Sequence, residues 1–376
     1  MNTYVDIHVI QNLPPSCVNR DDSGSPKSAV YGGVRRLRVS SQSWKRATRL
    51  YFNDHLNRKE LGIRTKRVVE VLATEIVAQA PDLAESATAL AENMFKAAKI
   101  KLSVPRGKKE APQEPGYLLF LSRSQVSRLA ELAVVSVRSG EDLDARAAKK
   151  ILKEEHAIDV SLFGRMVADD TDLNVDAACQ VAHAISTHAA ENEYDFFTAV
   201  DDAKQESRDE EDAGAGMMGT VEFSSATVYR YATVNIDMLR ENLGDDEVAL
   251  RALEAFLNGF SLSMPTGKQN TFANRTLPDT VVVCVREDQP VSLVGAFENP
   301  VAADAARGYV ARSVEALAAY ATTVEKNYGT RPLRSLAVSL EDSAAVDSLG
   351  ERVSFNDLAA QVRQIVAPRI SGQEQA

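Results

Sequence analysis

The amino-acid sequence predicts a folded α+β protein, and three observations support that prediction. The chain has 376 residues, of which 44% are hydrophobic and 26% are charged, so it can bury a core and lacks the composition of a disordered chain. Near its beginning and around residue 230, apolar residues alternate with the period of two that is typical of strands. Between about 60 and 160, the apolar residues instead follow the longer period of helices.

The first predicted element is a strand over 4–10. Val5, Ile7 and Val9 alternate there with more polar residues, as expected for a half-buried strand. We interpret His8, in the same segment, as a histidine of the sheet rather than as a metal ligand.

The next two elements are a short strand over 34–39 and a helix that continues to about residue 60. Ser40 or Ser41 is a suitable N-cap for this helix, and a helix N-terminus also attracts phosphate. Lys45 and Arg49 lie four residues apart, which places both on one helix face.

These two elements lie in a basic part of an otherwise acidic chain. The whole chain has a net charge of −10, which would argue against a nucleic-acid ligand. The segment 16–50 contains eight basic and two acidic residues and therefore has a net charge of +6. Such a run fits either a solvated face or a phosphate-binding face.

The central part of the chain is predicted to be a helical insertion. Helical segments are expected over 121–135 and 143–156, and the polar stretch 104–116 is expected to be a loop. A further short helix is predicted over 176–186 and is followed by a strand over 194–200.

A long hairpin is expected next. The acidic run 201–212 and the glycine-rich stretch 214–219 should form its tip, and 222–236 should return as a central strand. The rest of the chain predicts a buried strand over 281–285 and three helices, over 246–262, 303–326 and 354–366.

Signals of catalysis, cofactors and membranes are weak in this sequence. Residues 214–219 match G-x-G-x-x-G, but a strand pattern follows them instead of the helix that a dinucleotide site requires. The five histidines and three cysteines show no metal-ligand spacing. No apolar run approaches the roughly 18 residues of a membrane-spanning helix, and 1–15 lack a secretory signal. We therefore expect a cytoplasmic protein without metal, cofactor or membrane contact.

Asp21 and Asp22 are the carboxylates that could serve a general base or a metal ion in RNA cleavage. Adjacent aspartates in a basic loop can equally form a turn or pair with cations.

Several motifs give the chain a family resemblance. It resembles the CasC-type backbone subunit of the type I-E CRISPR Cascade complex in these blocks, which occur in the family's order: SCVNRDD at 16–22, YGGVRRLRVSSQSWKR at 31–46, AHAISTH at 182–188, DFFTAVDD at 195–202, GTVEFSS at 219–225, YRY at 229–231 and GKQNTFA at 267–273.

The resemblance implies a hand-shaped subunit. Its palm would be a ferredoxin-like sheet of the RNA-recognition-motif type, with an inserted helical fingers domain and a thumb that is a long β-hairpin. The boundaries we expect are palm at 1–59, fingers at 60–180, palm at 181–192, thumb at 193–223 and palm again at 224–376.

The resemblance also implies a non-catalytic function and a set of contacts. Copies of the subunit would polymerise head to tail along a guide RNA, together with other Cascade subunits, and splay bases at intervals so that the rest can pair with target DNA. Phosphate contacts would come from Arg20, Lys27, Ser40, Gln42, Lys45, Arg46 and Arg49. Met166, Phe197, Thr198 and Val200 would contact bases, although Met166 and Phe197 could equally be core residues.

A helix of the fingers domain is implied to approach target DNA. The residues expected there are Arg146, Lys149, Lys150 and Lys153, whose alternative interpretation is a solvated helix face. The rival function is an endoribonuclease that cleaves the guide precursor or bound target RNA, with Asp21 and Asp22 at its site.

Overall fold

The computed structural model describes residues 2–107, 111–199, 217–304 and 306–370. Its ten-stranded sheet contains β1 Tyr4–Ser16, β2 Ser28–Tyr31, β3 Val34–Val39, β8 Cys179–Val181, β9 Ala184–Ser186, β10 Glu193–Ala199, β11 Met217–Asn235, β12 Thr280–Arg286, β13 Arg334–Ser339 and β14 Glu351–Arg352. Two small sheets pair β4 Gly62–Thr65 with β7 Leu119–Ser122, and β5 Leu102–Ser103 with β6 Glu114–Pro115.

The helices of the described residues separate these strands. They are α1 Ser41–His55, α2 Val68–Gln79, α3 Ala87–Ala97, α4 Arg123–Ser139, α5 Ala145–Lys153, α6 Ile158–Phe163, α7 Ile236–Leu243, α8 Asp246–Leu262, α9 Gln269–Phe272, α10 Val310–Tyr328, α11 Ala344–Leu349 and α12 Phe355–Ile370. The fold is therefore α+β, as predicted. None of the helices in the described ranges is long and apolar enough to cross a membrane.

The large sheet has the order β14-β13-β12-β1-β11-β9-β3-β2, with β8 and β10 also paired to β11. All of these pairs are antiparallel except β13 with β14. The strand β12 is buried at every position, as its valine-rich sequence predicts. The ladder between β1 and β11 is regular up to Leu13, and its register shifts between Leu13 and Ser16.

Helices cover both faces of this sheet. Apolar side chains of β1, such as Ile7, pack with those of α8 and α12 on one face. Ile10, on the other face, belongs to a cluster with α10. His8 is fully buried in the sheet, where its Nδ1 lies 2.9 Å from the hydroxyl of Tyr229. Burial lowers the pKa of His8 to about 3, so its ring is neutral and the interpretation as a sheet histidine is confirmed.

The helical insertion has an apolar core of its own. Leu72 of α2, Phe95 of α3, Leu129 of α4 and Leu152 of α5 meet in one buried cluster. The helix α4 begins with a capping box, in which the hydroxyl of Ser122 accepts the backbone N–H of residue 125. The helices predicted at 121–135 and 143–156 are therefore confirmed as α4 and α5.

The helix predicted over 176–186 is wrong. The segment forms the short strands β8 and β9, which pair with β11 at Ala232↔Val181 and Tyr229↔Ile185. The sequence has a local helical period here, but hydrogen bonding to the backbone of the long strand β11 decides the structure. The helix that we extended to residue 60 ends at His55, and the helix predicted from 303 begins only at Val310.

Most of the other elements are confirmed, but the predicted loop 104–116 contains β6, which pairs with β5. The helix at 246–262 has the predicted bounds, and the helix from 354 continues to Ile370. The predicted hairpin strands are β10 and the first part of β11, paired from Glu193↔Phe223 to Ala199↔Met217. Val200 and the acidic run 201–212 lie outside the described residues.

Candidate nucleic-acid interface

The start of α1 is held by residues from two other segments. Ser40 occupies the N-cap position, but its hydroxyl caps no backbone group. The backbone N–H of Ser40 donates to the side-chain oxygen of Asn19 at 2.8 Å, and the N–H of Ser41 donates to Nδ1 of His183 at 2.9 Å. Burial, followed by the charges of nearby cations, lowers the pKa of His183 and so favours the neutral ring that can accept this bond.

The inner face of α1 packs on a buried arginine. The guanidinium carbon of Arg230 lies 3.7 Å from the ring centre of Trp44 and 4.5 Å from that of Phe260. Its Nη1 donates to the side-chain oxygen of Gln11 at 2.6 Å. Burial lowers the pKa of Arg230 to about 9. This stacked cation fixes the helix against the sheet.

The outer face of α1 carries the predicted phosphate contacts. Gln42 and Arg46 are exposed, and the Lys45 ammonium lies 6.0 Å from the ring centre of Phe163. Ser40 is only 6% exposed, so little of its hydroxyl can be reached from this face. Whether each of these side chains contacts a phosphate stays a prediction.

Arg49 has partners within the chain. Its Nε donates to Asp159 at 3.1 Å, and its guanidinium lies 4.5 Å from the ring centre of Phe120. The Asp159 carboxylate also accepts the backbone N–H of Gly62 at 2.8 Å. Arg49 therefore ties α1 to α6 and β7 of the helical insertion.

Arg36, one of the eight basic residues counted between 16 and 50, contributes no cationic surface. It is fully buried, and its guanidinium donates to the carbonyl oxygens of Tyr31, Ser186 and Phe297 at 3.1, 3.1 and 2.8 Å. The segment 16–50 therefore presents less positive charge at the surface than its net charge of +6 indicates.

A polar cleft of about 530 Å³ opens beside α1. Arg20 and the loop that follows it form one wall, Arg46 lies on the helix side, and residues 265–267 form the third side. Gly267 approaches the backbone so closely that an added Cβ would lie 2.3 Å from the carbonyl oxygen of Val18. Lys27 is half-buried, and its backbone N–H closes the loop by donating to the carbonyl of residue 19 at 2.9 Å.

Lys268, which we did not assign from the sequence, directly follows the wall of this cleft formed by residues 265–267. It adopts a left-handed backbone conformation, with φ of 44°. Burial raises the pKa of the Cys17 thiol, and the positive charges of Arg20 and Lys268 oppose that shift, so both cations lie near Cys17. The GKQNTFA block was the available signal, but nothing in the sequence shows that residue 268 returns to residue 17.

The hairpin that carries Phe197 and Thr198 has its base beside the segment that contains Lys268. Phe197 is half-buried and pairs with Gly219, while Thr198 pairs with Met218. At the base of the hairpin, the rings of Phe223 and Phe272 lie 5.9 Å apart. The hairpin base therefore packs on α9, immediately after Lys268.

Met166 is 78% exposed, so its interpretation as a core residue is wrong. Its two neighbours are fixed in the interior. The guanidinium of Arg165 donates to the carbonyls of Leu152 and Leu173 at 2.7 and 2.9 Å, and Val167 is buried in the core of the insertion. The flanking anchors hold the thioether of Met166 toward solvent.

Three of the predicted DNA contacts on α5 are engaged with carboxylates. Lys149 lies 2.6 Å from Asp170 and 2.9 Å from Asp172, and Lys153 lies 3.8 Å from Asp172. Lys150 lies 3.8 Å from the Glu154 carboxylate, and Arg146 is exposed. The spacing of the four cations places them on one surface of α5, and the ion pairs of the three lysines reduce the net positive charge of that surface.

Among the described residues, Asp21 and the glycine-rich motif do not have the arrangement that the catalytic alternatives require. Asp21 accepts the N–H and hydroxyl of Ser23 and the N–H of Ser25 through one oxygen, as in a turn-forming aspartate. Hydrogen bonds from Ser23 lower its pKa most. Gly219 lies in a strand, which is not the setting of a dinucleotide fingerprint. No group of three metal-ligating side chains occurs in the described ranges.

Two comparisons, one with protein families and one with solved structures, relate this chain to known proteins. A sequence profile of the CT1975-like protein family matches residues 5–361. A solved chain titled "CRISPR RNA-guided surveillance complex, pre-nicking" shares 37% identity and a TM-score of 0.85, covering 96% of this chain and 99% of that one. Another, titled "CRISPR RNA-guided surveillance complex", has 31% identity and a TM-score of 0.76, and the match again covers 96% of this chain and 99% of that one. No curated protein matches significantly.

Proposed function

This chain belongs to the CT1975-like protein family, and we propose that it is a non-catalytic backbone subunit of a CRISPR ribonucleoprotein interference complex. The family match and the two solved structures confirm the resemblance to CasC-type backbone subunits that the sequence motifs indicated. The observation that carries the proposal is the 37% identity over 96% of the chain to a subunit of an RNA-guided surveillance complex. In this proposal the ten-stranded sheet is a ferredoxin-like palm, the helical insertion is the fingers and the β10–β11 hairpin is the thumb.

The basic residues of α1 and of the cleft beside it support guide RNA as the ligand. Arg20 and Arg46 line the cleft, and Asp21 and Asp22 line it as well. Lys268 follows one of its walls, and Lys45 lies on the outer face of α1. These cations stand in a chain whose net charge is −10. Such local asymmetry binds phosphates without reading sequence. We assign the RNA backbone to this cleft and to the outer face of α1, with Gln42, Ser40, Lys27 and Arg49 at its margins.

We assign the base contacts to apolar and hydroxyl side chains of the helical insertion and the hairpin. Met166 is held outward by its buried neighbours. Phe197 is half-buried on one face of the hairpin, and Thr198 is exposed on the other. Thioether and aromatic surfaces stack on any base, so these contacts suit a subunit that accepts every guide. Val200 is proposed to act with them.

The assembly is proposed to be a head-to-tail filament along the guide. A heterologous interface between identical subunits produces a helical filament when the ring does not close. In such a filament, the hairpin of one copy can cross the RNA strand that the next copy binds. The splayed bases leave the intervening ones free to pair with target DNA. Arg146, Lys149, Lys150 and Lys153 of α5 are proposed to meet that DNA, in competition with their carboxylate partners.

The test is RNA binding by the full chain, measured with labelled single-stranded RNA across a salt series with magnesium. The recovered RNA is run on a denaturing gel, and the same samples are imaged by negative-stain electron microscopy. We expect intact RNA, regular filaments and an affinity that falls steeply with salt.

Two results would overturn this proposal. RNA cut at regular intervals, with cutting lost in Asp21→Ala or Asp22→Ala, would establish the rival endoribonuclease. Absence of binding at low salt, both alone and with partner subunits of such a complex, would remove RNA as the ligand.

A further inference from the structure

The ring of Phe197 lies over a glycine of the neighbouring strand. A Cβ added to Gly219 would lie 2.6 Å from Cζ and 2.8 Å from Cε1 of Phe197, distances that van der Waals repulsion forbids. The backbone of Gly219 is extended, within β11, so its conformation does not by itself require glycine. What requires glycine is the position of the ring.

The face of the hairpin that carries Phe197 is the one that packs on α9 at the base of the hairpin. Side chains at paired positions of antiparallel strands share a face, and alternate residues of a strand do so as well. Phe197, Gly219 and Phe223 therefore lie on one face, and Phe223 packs on Phe272, four residues after Lys268.

The opposite face of the hairpin is apolar as well, but it points away from that contact. Tyr194, Phe196 and Met218 are 69%, 64% and 66% exposed there, whereas Phe197 is half-buried. Exposure alone would have favoured Phe196 as the base contact. The register of the hairpin favours Phe197.

We propose that Gly219 is a positioning residue that seats the Phe197 ring flat on the hairpin, so that the outer face of the ring can stack on a base. This inference rests on the proposed function. Because the inner face of the ring is against the backbone of β11, a base can be accepted on one side only. The site therefore forms a platform for a single base of single-stranded RNA.

The variant that tests this inference is Gly219→Ala, because the new methyl group must displace the ring while leaving the strand intact. Phe197→Ala and the double variant complete a double-mutant cycle. The matched control is Gly116→Ala, since a Cβ at Gly116 would meet no atom within 4 Å. The probe is a short single-stranded oligoadenylate that contains 2-aminopurine, whose fluorescence reports stacking.

We expect Gly219→Ala to weaken binding by roughly threefold to tenfold and to lose most of the fluorescence change, since stacking on one aromatic ring is lost. The slope of affinity against salt should stay unchanged because no phosphate contact is removed. In the Phe197→Ala background, Gly219→Ala should have no further effect. The melting temperature should not fall, because alanine restricts the unfolded chain more than glycine does.

A fluorescence change in Gly219→Ala equal to that of the wild-type chain would overturn the inference. So would losses that add in the double variant, because Gly219 would then act independently of the ring. Failure of the wild-type chain to bind the probe would instead overturn the proposed function. The two failures are therefore distinguished by the wild-type measurement alone.

Discussion

Replacing Arg49 by alanine should destabilise the protein, in addition to any effect on RNA. Arg49 is 25% exposed and its partner Asp159 is 4% exposed, so the substitution leaves a carboxylate buried without its cation. Breaking a fully buried pair costs about 3–5 kcal/mol. Because Arg49 is partly hydrated, we expect about 2–3 kcal/mol here.

The loss should depend on pH in a defined direction. Burial raises the pKa of Asp159 above its ordinary value, and the charge of Arg49 opposes that rise most strongly. Between the unfolded and the folded pKa the native state binds more protons, so the free energy of unfolding falls as pH rises through that interval. Without Arg49 the folded pKa rises further. The destabilisation is therefore full at neutral pH and shrinks as Asp159 becomes protonated in acid.

The assay is thermal unfolding of the Arg49→Ala variant and the wild-type chain near neutral pH and in mild acid. For 376 residues the unfolding entropy is about 0.8 kcal/mol/K, so the expected loss corresponds to a melting temperature lower by roughly 2–4 °C. Arg46→Ala, which removes an exposed arginine of the same helix, should shift it by less than about 1 °C.

A second substitution tests the cause of the loss. Asp159→Asn in the Arg49→Ala background should recover part of the stability, because a neutral amide needs no cation and can still accept the N–H of Gly62. An equal loss at both pH values, or no recovery with the amide, would refute the assignment of the effect to this ion pair.

Three further predictions concern the same region. Lys45→Ala and Lys268→Ala should each weaken RNA binding alike across sequences and reduce the salt slope by about 1, measured by titration at several salt concentrations; a strong dependence on sequence would contradict phosphate contact. Arg230→Ala should cost about 3–4 kcal/mol in chemical denaturation and Arg230→Met less than about 1.5 kcal/mol, since methionine fills the space without a buried charge; equal costs would contradict the packing role. Gly267→Ala should lower the melting temperature and weaken RNA binding because its Cβ meets backbone, whereas Gly116→Ala should do neither.

The sequence predicted those elements whose signal is local. The helix α8 has its predicted bounds because Asp245 caps it and an apolar stripe follows. The strand β12 is recognisable because consecutive valines fit a strand buried on both sides. The strands β8 and β9 were missed because they hold three residues each and exist only through their pairing with β11.

The candidate site was predicted less completely, for a similar reason. A count of basic residues treats Arg36 like Lys45, yet one is fully buried among carbonyl oxygens and the other lies on the outer face of α1. Lys268 lies 248 residues after Arg20, and both come near Cys17 only because the chain folds back on itself. Contacts of this kind depend on topology, which the local pattern of charges does not encode.

The irregular register between Leu13 and Ser16 lies where β11 leaves the sheet to form the hairpin. β11 is one strand of 19 residues, about 60 Å long, and it serves both as the centre of the sheet and as one arm of the hairpin. Leu13 pairs with Ala226 and Ser16 with Ser224, so three steps along β1 match two along β11. Pro14 and Pro15 occupy the extra length and cannot donate ladder hydrogen bonds. A bulge of this kind increases the local twist. Two prolines of a different strand, some 200 residues earlier in the chain, therefore shape the point at which the hairpin leaves the sheet, and the hairpin sequence transplanted without them would lose this bulge.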